Sequence, residues 1–250
     1  MFAIFRKEIS GFFSSLTGFI VIIVFLVVNS LFMWVFPGEW NVFDSGYAGL
    51  DTLFFLSPWL FLFLVPAVTM RMIAEEKRLG TIELIFSRPV TEREIIYGKY
   101  FASVSLVLLS LLPGIIFYIS VWNLGETPGN LDQGGTMGSF IGLFFLAAVY
   151  VSAGIFASSL TDNQVIAFIV AVFICFILFM GFESFAYLPG VRKFDEFILR
   201  LGINEHYKSI SRGVIDLRDI AYFLAVIGIL NEFTIMQLLS RRWKKKGNNG

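Results

Sequence analysis

Charged and apolar positions are separated along this chain into long blocks. Five runs of 18 to 22 residues contain no charged side chain, and a sixth run is interrupted by Asn231 and Glu232. About 20 residues of helix cross the ~30 Å hydrocarbon core of a bilayer. The pattern therefore predicts six membrane spans, at residues 16–36, 53–72, 101–122, 139–160, 165–183 and 219–240.

Composition supports the same interpretation. Of the 250 residues, 57% are hydrophobic, only 15% are charged and 30 are Phe, whereas soluble domains are about a quarter charged. One soluble core cannot hide that much apolar surface, so lipid must cover part of it. Because backbone polar groups in lipid need partners within their own segment, we predict an all-α integral membrane protein with a single membrane domain at 1–250.

The basic residues predict the orientation of the chain, because Lys and Arg tend to remain on the cytoplasmic side of short loops. Thirteen of the 19 lie in the N-terminal segment, around the connection between spans two and three, or after span six. The connections at 37–52 and 122–138 hold none, and the remaining six lie between residues 184 and 218. We expect a multi-pass protein with both termini in the cytoplasm and a basic cytoplasmic tail at 241–250.

Two segments outside the spans have one apolar face. Phe2, Phe5 and Ile9 repeat on one side of residues 1–15, which predicts an amphipathic helix along the inner leaflet. The segment at 188–218 has the same character, with apolar residues at i, i+3, i+4 and i+7 counted from position 194. It is predicted to lie at the outer interface or to re-enter the membrane. Simple amphipathic connectors are the alternative for both segments.

The connection at 73–100 concentrates charge between two apolar runs. Thr91, followed three residues later by Glu94, is a capping-box pattern, which predicts a helix that starts at Thr91 and continues into span three. Pro89 ends the element before it, and residues 81–86 place three apolar side chains on one face of a short helix. We therefore predict a two-helix elbow that is too short to fold alone and that docks into a partner.

Patterns typical of catalysis and metal binding are missing from the sequence. It contains no Walker-type phosphate loop, no G-x-S-x-G, no H-E-x-x-H and no C-x-x-C. One His and one Cys are too few for a clustered metal site. The chain is therefore predicted to have no catalytic residue, no metal and no cofactor of its own, and no nucleic-acid partner.

Polar side chains inside the predicted spans are the default functional candidates in a membrane protein. Asn231 and Glu232 interrupt span six, Asn29 lies in span one, and Glu183 lies at the outer end of span five. These four are candidates for an intramembrane gate or a substrate contact, and hydrogen bonds between packed helices are the alternative. His206, the one histidine, is interpreted as a surface group.

Three stretches give the chain a family resemblance. They are AEEKRLGTIELIFSRPVTEREIIYGKYFA at 74–102, ASSLTDNQVIAF at 157–168 and INEHYKSISRGVIDLRDIAYFL at 203–224. Their order and spacing resemble those of the ABC-2 type transporter permeases, and the six-span layout extends the resemblance over essentially the whole chain. Within that family the closest likeness is to the F subunits of the gliding-motility-associated group.

The resemblance implies the permease subunit of an ATP-driven transporter in the bacterial inner membrane. Such permeases lack ATPase activity and pair with a separate cytoplasmic ABC ATPase, which holds ATP and Mg, and with a second copy or a related membrane subunit. The elbow would be the coupling helix, 1–15 the connecting helix and 188–218 the outer re-entrant helices. By position, the residues that dock the ATPase would be Glu75, Glu76, Arg78, Gly80, Thr81, Glu83, Leu84, Pro89 and Lys99.

One position departs from the family pattern, and two functions stay open. The last span of these permeases is usually uniformly apolar, whereas Asn231 and Glu232 interrupt it here. The first function is that of an ATP-coupled permease, associated with gliding motility through the resemblance. The second is that of a structural or assembly subunit of an envelope complex, which needs a membrane anchor and no energy input. An ATPase that copurifies with the chain would distinguish the two.

Overall fold

The computed structural model describes residues 1–125, 130–186 and 195–248. Over these residues the structure contains helices and no strand. Two π-helical turns, Leu31–Val35 and Ile177–Gly181, directly follow α-helices. The α-helices are, in chain order, α1 (Phe2–Ser14), α2 (Leu16–Ser30), α3 (Asp51–Thr69), α4 (Arg71–Arg78), α5 (Thr81–Phe86), α6 (Glu92–Leu111), α7 (Gly114–Leu124), α8 (Gln133–Leu160), α9 (Gln164–Phe176), α10 (Phe182–Ala186), α11 (Asp195–Leu199), α12 (Ile203–Ser211) and α13 (Leu217–Asn248).

Six helical stretches of the described chain are long and apolar enough to cross a bilayer. This confirms the predicted all-α fold with six spans. The stretches are Leu16–Val35, Asp51–Arg78, Glu92–Leu124, Gln133–Leu160, Gln164–Ala186 and Leu217–Ser240.

Span three begins within the elbow rather than at residue 101. Thr91 Oγ1 accepts a hydrogen bond from the Glu94 amide at 3.3 Å, and the Glu94 carboxylate accepts one from the Thr91 amide at 3.0 Å. This reciprocal pair satisfies two backbone donors at the start of α6 and confirms the capping box. The helix therefore starts at Glu92 and enters the bundle without interruption.

Proline has different effects in spans two and three. Span three is broken at Pro113, where α6 gives way to α7, because proline lacks an amide donor and crowds the preceding turn. Pro58 and Pro66 lie inside α3, which continues past both as far as Thr69. Span three is therefore the one that a proline divides into two helices.

Helix α8 lies at the centre of the bundle, with α3, α6, α9 and α13 packed around it. Its apolar stretch is 72% buried, compared with 22% for that of span five. Small residues let other helices approach its backbone closely. A side chain at Gly138 would meet the carbonyl of Ile210 in α12, and one at Gly154 would meet Thr69 in α3.

The elbow (residues 73–100) and the pair α11 and α12, which we call the cap, lie at opposite ends of α8. The elbow contacts Ser158 and Ser159 near the C-terminal end of α8. The cap packs on Gly138 and Gly142 near its N-terminal end. We refer to these two ends of the bundle as the elbow end and the cap end.

Both terminal helices are present at the elbow end. Lys7 in α1 contacts Glu76 of the elbow at 2.8 Å, and Glu232 in α13 contacts Arg93 at 3.4 Å. Helix α13 then continues to Asn248, so the segment predicted as a tail extends the last helix. Of the predicted amphipathic segment at 188–218, residues 188–194 lie outside the described residues, and the remainder contains the cap.

Candidate functional site: the elbow and its ion cluster

The elbow begins where α3 gives way to α4, and Ser158 of α8 holds this junction. Its Oγ accepts hydrogen bonds from the amides of Ile73 and Ala74, each at 3.0 Å. The same hydroxyl donates to the Met70 carbonyl at 2.8 Å. One buried side chain thus satisfies two amides and one carbonyl at the helix junction, as buried backbone groups require. Lys77 adds a hydrogen bond to the Ser159 carbonyl.

The turn between α4 and α5 depends on glycine. Gly80 has φ 71°, in the left-handed region that other residues rarely adopt, and it ends α4 and begins α5. The turn lets α5 fold back so that Ile82 is buried against the bundle. The Thr81 hydroxyl donates to the Glu76 carbonyl at 3.4 Å across the turn. The turn between α4 and α5 is therefore set by residues of the elbow itself.

One face of the elbow is left uncovered by the residues that the structure describes. Leu79 and Leu84 are 63% and 68% exposed. The predicted docking residues that lie exposed with them are Arg78, Gly80, Glu83 and Pro89, while Thr81 and Glu75 are partly buried. The exposed residues of the elbow thus include two leucines and charged neighbours, and apolar side chains surrounded by polar ones are the usual anatomy of a protein interface.

The opposite face of the elbow holds a cluster of ion pairs. Lys99, whose side chain is 1% exposed, contacts Glu8 at 2.7 Å and Glu76 at 2.8 Å. Lys7 contacts Glu76 at 2.8 Å and Glu8 at 3.4 Å. Two bases and two acids are therefore balanced in one network, which we call the ion cluster. It joins three separate parts of the chain, namely α1, α4 and α6.

The pKa values of the two α1 residues follow from their surroundings. Burial alone would raise the pKa of Glu8, but the charge and hydrogen bond of Lys99, with a further contribution from Lys7, outweigh it. The pKa of Glu8 therefore lies below its ordinary value of 4.5. Burial opposes the charge on Lys7, and the hydrogen bond and charge of Glu76 overcome that effect, so its pKa lies above 10.5. Both residues are held in their charged forms.

Two residues assigned by the resemblance to the docking element occupy the ion cluster instead of the exposed face. Glu76 and Lys99 are both buried, and each is paired with residues of this chain. A buried charge must be paired or it costs several kcal/mol, so these two side chains are committed to internal partners. The sequence did not indicate a role for Lys7 and Glu8, because both lie far from Glu76 along the chain.

The four candidate gate residues lie in different places. Glu232 is partly exposed and pairs with Arg93 at the elbow end rather than facing the bundle interior. Asn231 is fully buried, and its amide nitrogen and oxygen have no hydrogen-bond partner among the described residues. The buried Asn29 donates to the Phe25 carbonyl of its own helix at 2.8 Å.

Glu183 belongs to the cap end. Its carboxylate accepts a hydrogen bond from Asn204 at 2.6 Å and contacts Lys208 at 3.3 Å, both in α12. The structure therefore brings none of the four candidates together, and it gives Glu183 and Glu232 partners that connect parts of the fold. A single gate built from these four side chains is not formed.

His206 has a more specific environment than the sequence indicated. Its Nδ1 lies 2.7 Å from a carboxylate oxygen of Asp219, and its Nε2 lies 2.8 Å from the Arg200 carbonyl. The ring stacks on Tyr222 with centroids 3.8 Å apart. The side chain thus connects α12 to the first turn of α13. The prediction of a surface group was wrong, because the amphipathic pattern did not reveal that α13 would cover this side of the loop.

The sequence model of the ABC-2 family transporter proteins matches residues 2–211. The chain belongs to this family. The matched residues include α1, the elbow, five of the six spans and the cap. The match therefore covers the ion cluster and the exposed face of the elbow. It does not cover Asn231 and Glu232 in α13. A comparison with curated proteins found no match. Together with the six apolar helices, family membership makes the chain a multi-pass membrane protein and a permease subunit of an ABC transporter.

Proposed function

We propose that this permease couples ATP binding and hydrolysis in a separate ABC ATPase to movement of its own spans, with the elbow as the ATPase docking site. The observation that carries the proposal is the exposed face of the elbow. Leu79 and Leu84 present an apolar patch on a segment whose other side is fixed to the bundle. An apolar patch on a rigid support binds a partner without first having to become ordered.

The contacts of the elbow explain how docking could move the spans. A force applied at Leu84 acts on α5, which is continuous with α4 through Gly80 and anchored by Ile82. The ion cluster then connects α4 to α1 and α6, and Ser158 connects its junction to α8. Displacing the elbow therefore displaces spans two and three together with α1, as a rigid-body transition requires.

The orientation and partners follow from the same proposal. The elbow end faces the cytoplasm of a bacterial cell, and α1, the C-terminal end of α13 and most of the basic residues lie on that side. ATP and Mg are held by the ATPase, and this chain has no catalytic role. A second copy of this chain or a related membrane subunit completes the transporter. The resemblance of the chain to the gliding-motility-associated group supports work at a motility apparatus.

Copurification tests the docking site. The full chain, expressed with its native partners and extracted in mild detergent, should bring with it a protein that contains a Walker motif. Replacing both leucines, Leu79→Ser with Leu84→Ser, should lower the recovered ATPase about tenfold, because apolar side chains at the centre of an interface carry much of its affinity. The control is Leu217→Ser, an exposed leucine at the cap end.

The thermal unfolding of both variants should match that of the parent, since neither exchange alters a buried contact. If the double variant keeps its ATPase, the docking site lies elsewhere. If the parent chain recovers no ATPase under any nucleotide condition, the structural or assembly role replaces the coupled permease. Glu76 is unsuitable for this test, because its reversal would disrupt the ion cluster as well.

A further inference from the structure

A cavity of about 440 Å³ lies on the flank of the bundle between spans three and four. We call it the flank groove. Leu108 and Ile115 line it from span three, and Phe140 and Phe144 line it from α8. All of these positions lie within membrane-spanning helices, so the groove is in contact with lipid rather than with water.

The flank groove lies across the break at Pro113. On the elbow side of the break, α6 packs against α8. At the break the two spans are still close, since a side chain at Gly114 would lie 3.2 Å from Phe140. The flank groove extends to both sides of the break, with Leu108 and Leu111 of α6 lining it before Pro113 and Ile115 and Tyr118 of α7 lining it after. The groove therefore lies where Pro113 changes the direction of span three.

The length of the groove indicates its occupant. The lining runs from Leu108 to Tyr118 on one wall and from Gln133 to Phe144 on the other. At 1.5 Å per residue, each wall is roughly 16 Å long. That is about half of the ~30 Å hydrocarbon core. A partner membrane helix needs a surface of full length, whereas an acyl chain from one leaflet needs half, so the dimensions favour a lipid chain.

The polar side chains at one end of the groove indicate how an acyl chain would be oriented in it. Gln133 and Thr136, in the first turn of α8, are the polar side chains at the cap end of the groove, and the wall below them is apolar. The Thr136 hydroxyl donates to the Asp132 carbonyl at 2.7 Å, which leaves its oxygen able to accept a hydrogen bond. An acyl chain would lie among the apolar side chains and the glycerol ester region beside Gln133 and Thr136.

The charged residues near this end of the groove indicate which class of lipid headgroup would bind there. The two connections near this end, 37–52 and 122–138, contain no Lys or Arg. Asp51 and Asp132 line a smaller cavity that Thr136 also borders. The cap adds a base at this end, because Lys208 lines a further cavity together with Asp51. An anionic headgroup could pair with Lys208 but would also meet the two carboxylates, whereas a zwitterionic headgroup would present its ammonium to the carboxylates and its phosphate to Lys208. The surroundings therefore favour a zwitterionic lipid.

We propose that the flank groove binds one zwitterionic glycerophospholipid from the leaflet at the cap end, with an acyl chain between span three and α8 and its headgroup next to Asp51 and Asp132. Burial of an acyl chain gains little over its place in the bilayer. The selectivity of the site therefore comes from close packing in the groove and from the headgroup charges. The proposal does not depend on the function of the elbow.

Native mass spectrometry of the full chain in detergent tests this site. Phosphatidylethanolamine and phosphatidylglycerol with identical acyl chains are titrated separately. We expect one phosphatidylethanolamine to bind about tenfold more tightly than phosphatidylglycerol. Ile115→Trp, which fills the groove, should lower this affinity about tenfold. Ile116→Trp is the matched control, since Ile116 is exposed on the same helix and does not line the groove.

Met137→Trp fills the groove from the opposite wall and serves as a second variant should Ile115→Trp fail to fold. Added phosphatidylethanolamine should also raise the melting temperature of the parent and of Ile116→Trp, but not that of either filled variant. Equal loss of binding in Ile115→Trp and Ile116→Trp would overturn the site. Equal affinity for the two lipids would overturn its headgroup selectivity, and the absence of any retained lipid would overturn the proposal as a whole.

Discussion

The elbow end and the cap end of this bundle are held by different kinds of contact. At the elbow end, Lys99 is buried between two carboxylates at 2.7 and 2.8 Å. At the cap end, Tyr207 donates to the Phe54 carbonyl at 2.9 Å, and Asn204 donates to Glu183 at 2.6 Å. Paired buried charges depend on one another, because removing one leaves the other uncompensated. Single hydrogen bonds contribute about 0.5–1.5 kcal/mol between neutral groups and about 1.5–3 kcal/mol when one partner is a carboxylate, and they are exchanged one at a time.

This difference predicts how each end responds to force. The ion cluster makes the elbow, α1 and the start of α6 move as one body, since separating them would expose buried charge to an apolar surrounding. The cap is fastened to spans two, four, five and six by separate contacts, each of modest strength. We therefore expect the elbow end to transmit motion and the cap end to open in steps.

The largest effect should come from Lys99→Met. Met keeps much of the length and apolar stem of lysine but leaves Glu8 and Glu76 close together with only Lys7, which is 60% exposed, as a counter-charge. Loss of one partner from a buried pair costs about 3–5 kcal/mol, and the free energy of unfolding should fall by that amount. Denaturant unfolding in mixed micelles measures it.

Lys7→Met is the matched control for this change, because it removes the same charge from the same cluster at an exposed position. Exposed pairs contribute at most about 1 kcal/mol, so the stability should change little. Equal losses of stability in the two variants would mean that the ion cluster behaves as a surface network. The elbow end would then not be more rigid than the cap end.

A smaller effect is expected at the cap. His206→Ala removes the partner of Asp219, a buried carboxylate whose second oxygen has no partner among the described residues. An unsatisfied buried group costs about 1–3 kcal/mol. Hydrogen exchange should increase in α12 and remain unchanged in α4 and α5. Exchange that increased equally at both ends would mean that the two ends unfold as one unit.

Lys208→Ala is the control for the cap. It removes the 3.3 Å contact to Glu183 from an exposed position, and the hydrogen bond from Asn204 to the same carboxylate remains. The expected change is at most about 1 kcal/mol. A loss as large as that of His206→Ala would place the main attachment of the cap at span five instead of span six.

The same comparison shows which features a sequence can predict. The six spans, α1 and the capping box depend on local patterns of about 20 residues or fewer, and those patterns were sufficient. The ion cluster depends on Glu8, Glu76 and Lys99, which are brought together only by the tertiary packing of α1 against α6. For Glu232 the sequence left two positions open, the bundle interior and the cytoplasmic interface, because hydropathy alone did not identify Arg93 as its partner.

Acidification should produce a gradual change at the elbow end. The pKa of Glu8 is lowered in the folded chain, so its contribution to stability is fully present above 4.5 and is lost as the pH falls through the folded value. The pKa of Lys7 is raised, so its contribution is present below 10.5 and is lost only at higher pH. Between these two pH limits the ion cluster therefore makes a constant contribution to the free energy of unfolding, which gives a plateau in the dependence of stability on pH.

Melting curves of the parent and of Glu8→Gln, recorded from pH 7 down to pH 3, measure the acid side of this plateau. The melting temperature of the parent should fall below about pH 4.5, and that of Glu8→Gln should lie lower at neutral pH and fall less steeply. The two curves should converge in acid, because protonated Glu8 is uncharged, as is the glutamine that replaces it in the variant. Parallel curves would show that Glu8 titrates with the same pKa in the folded and unfolded chains, and the cluster would then hold α1 by packing rather than by charge.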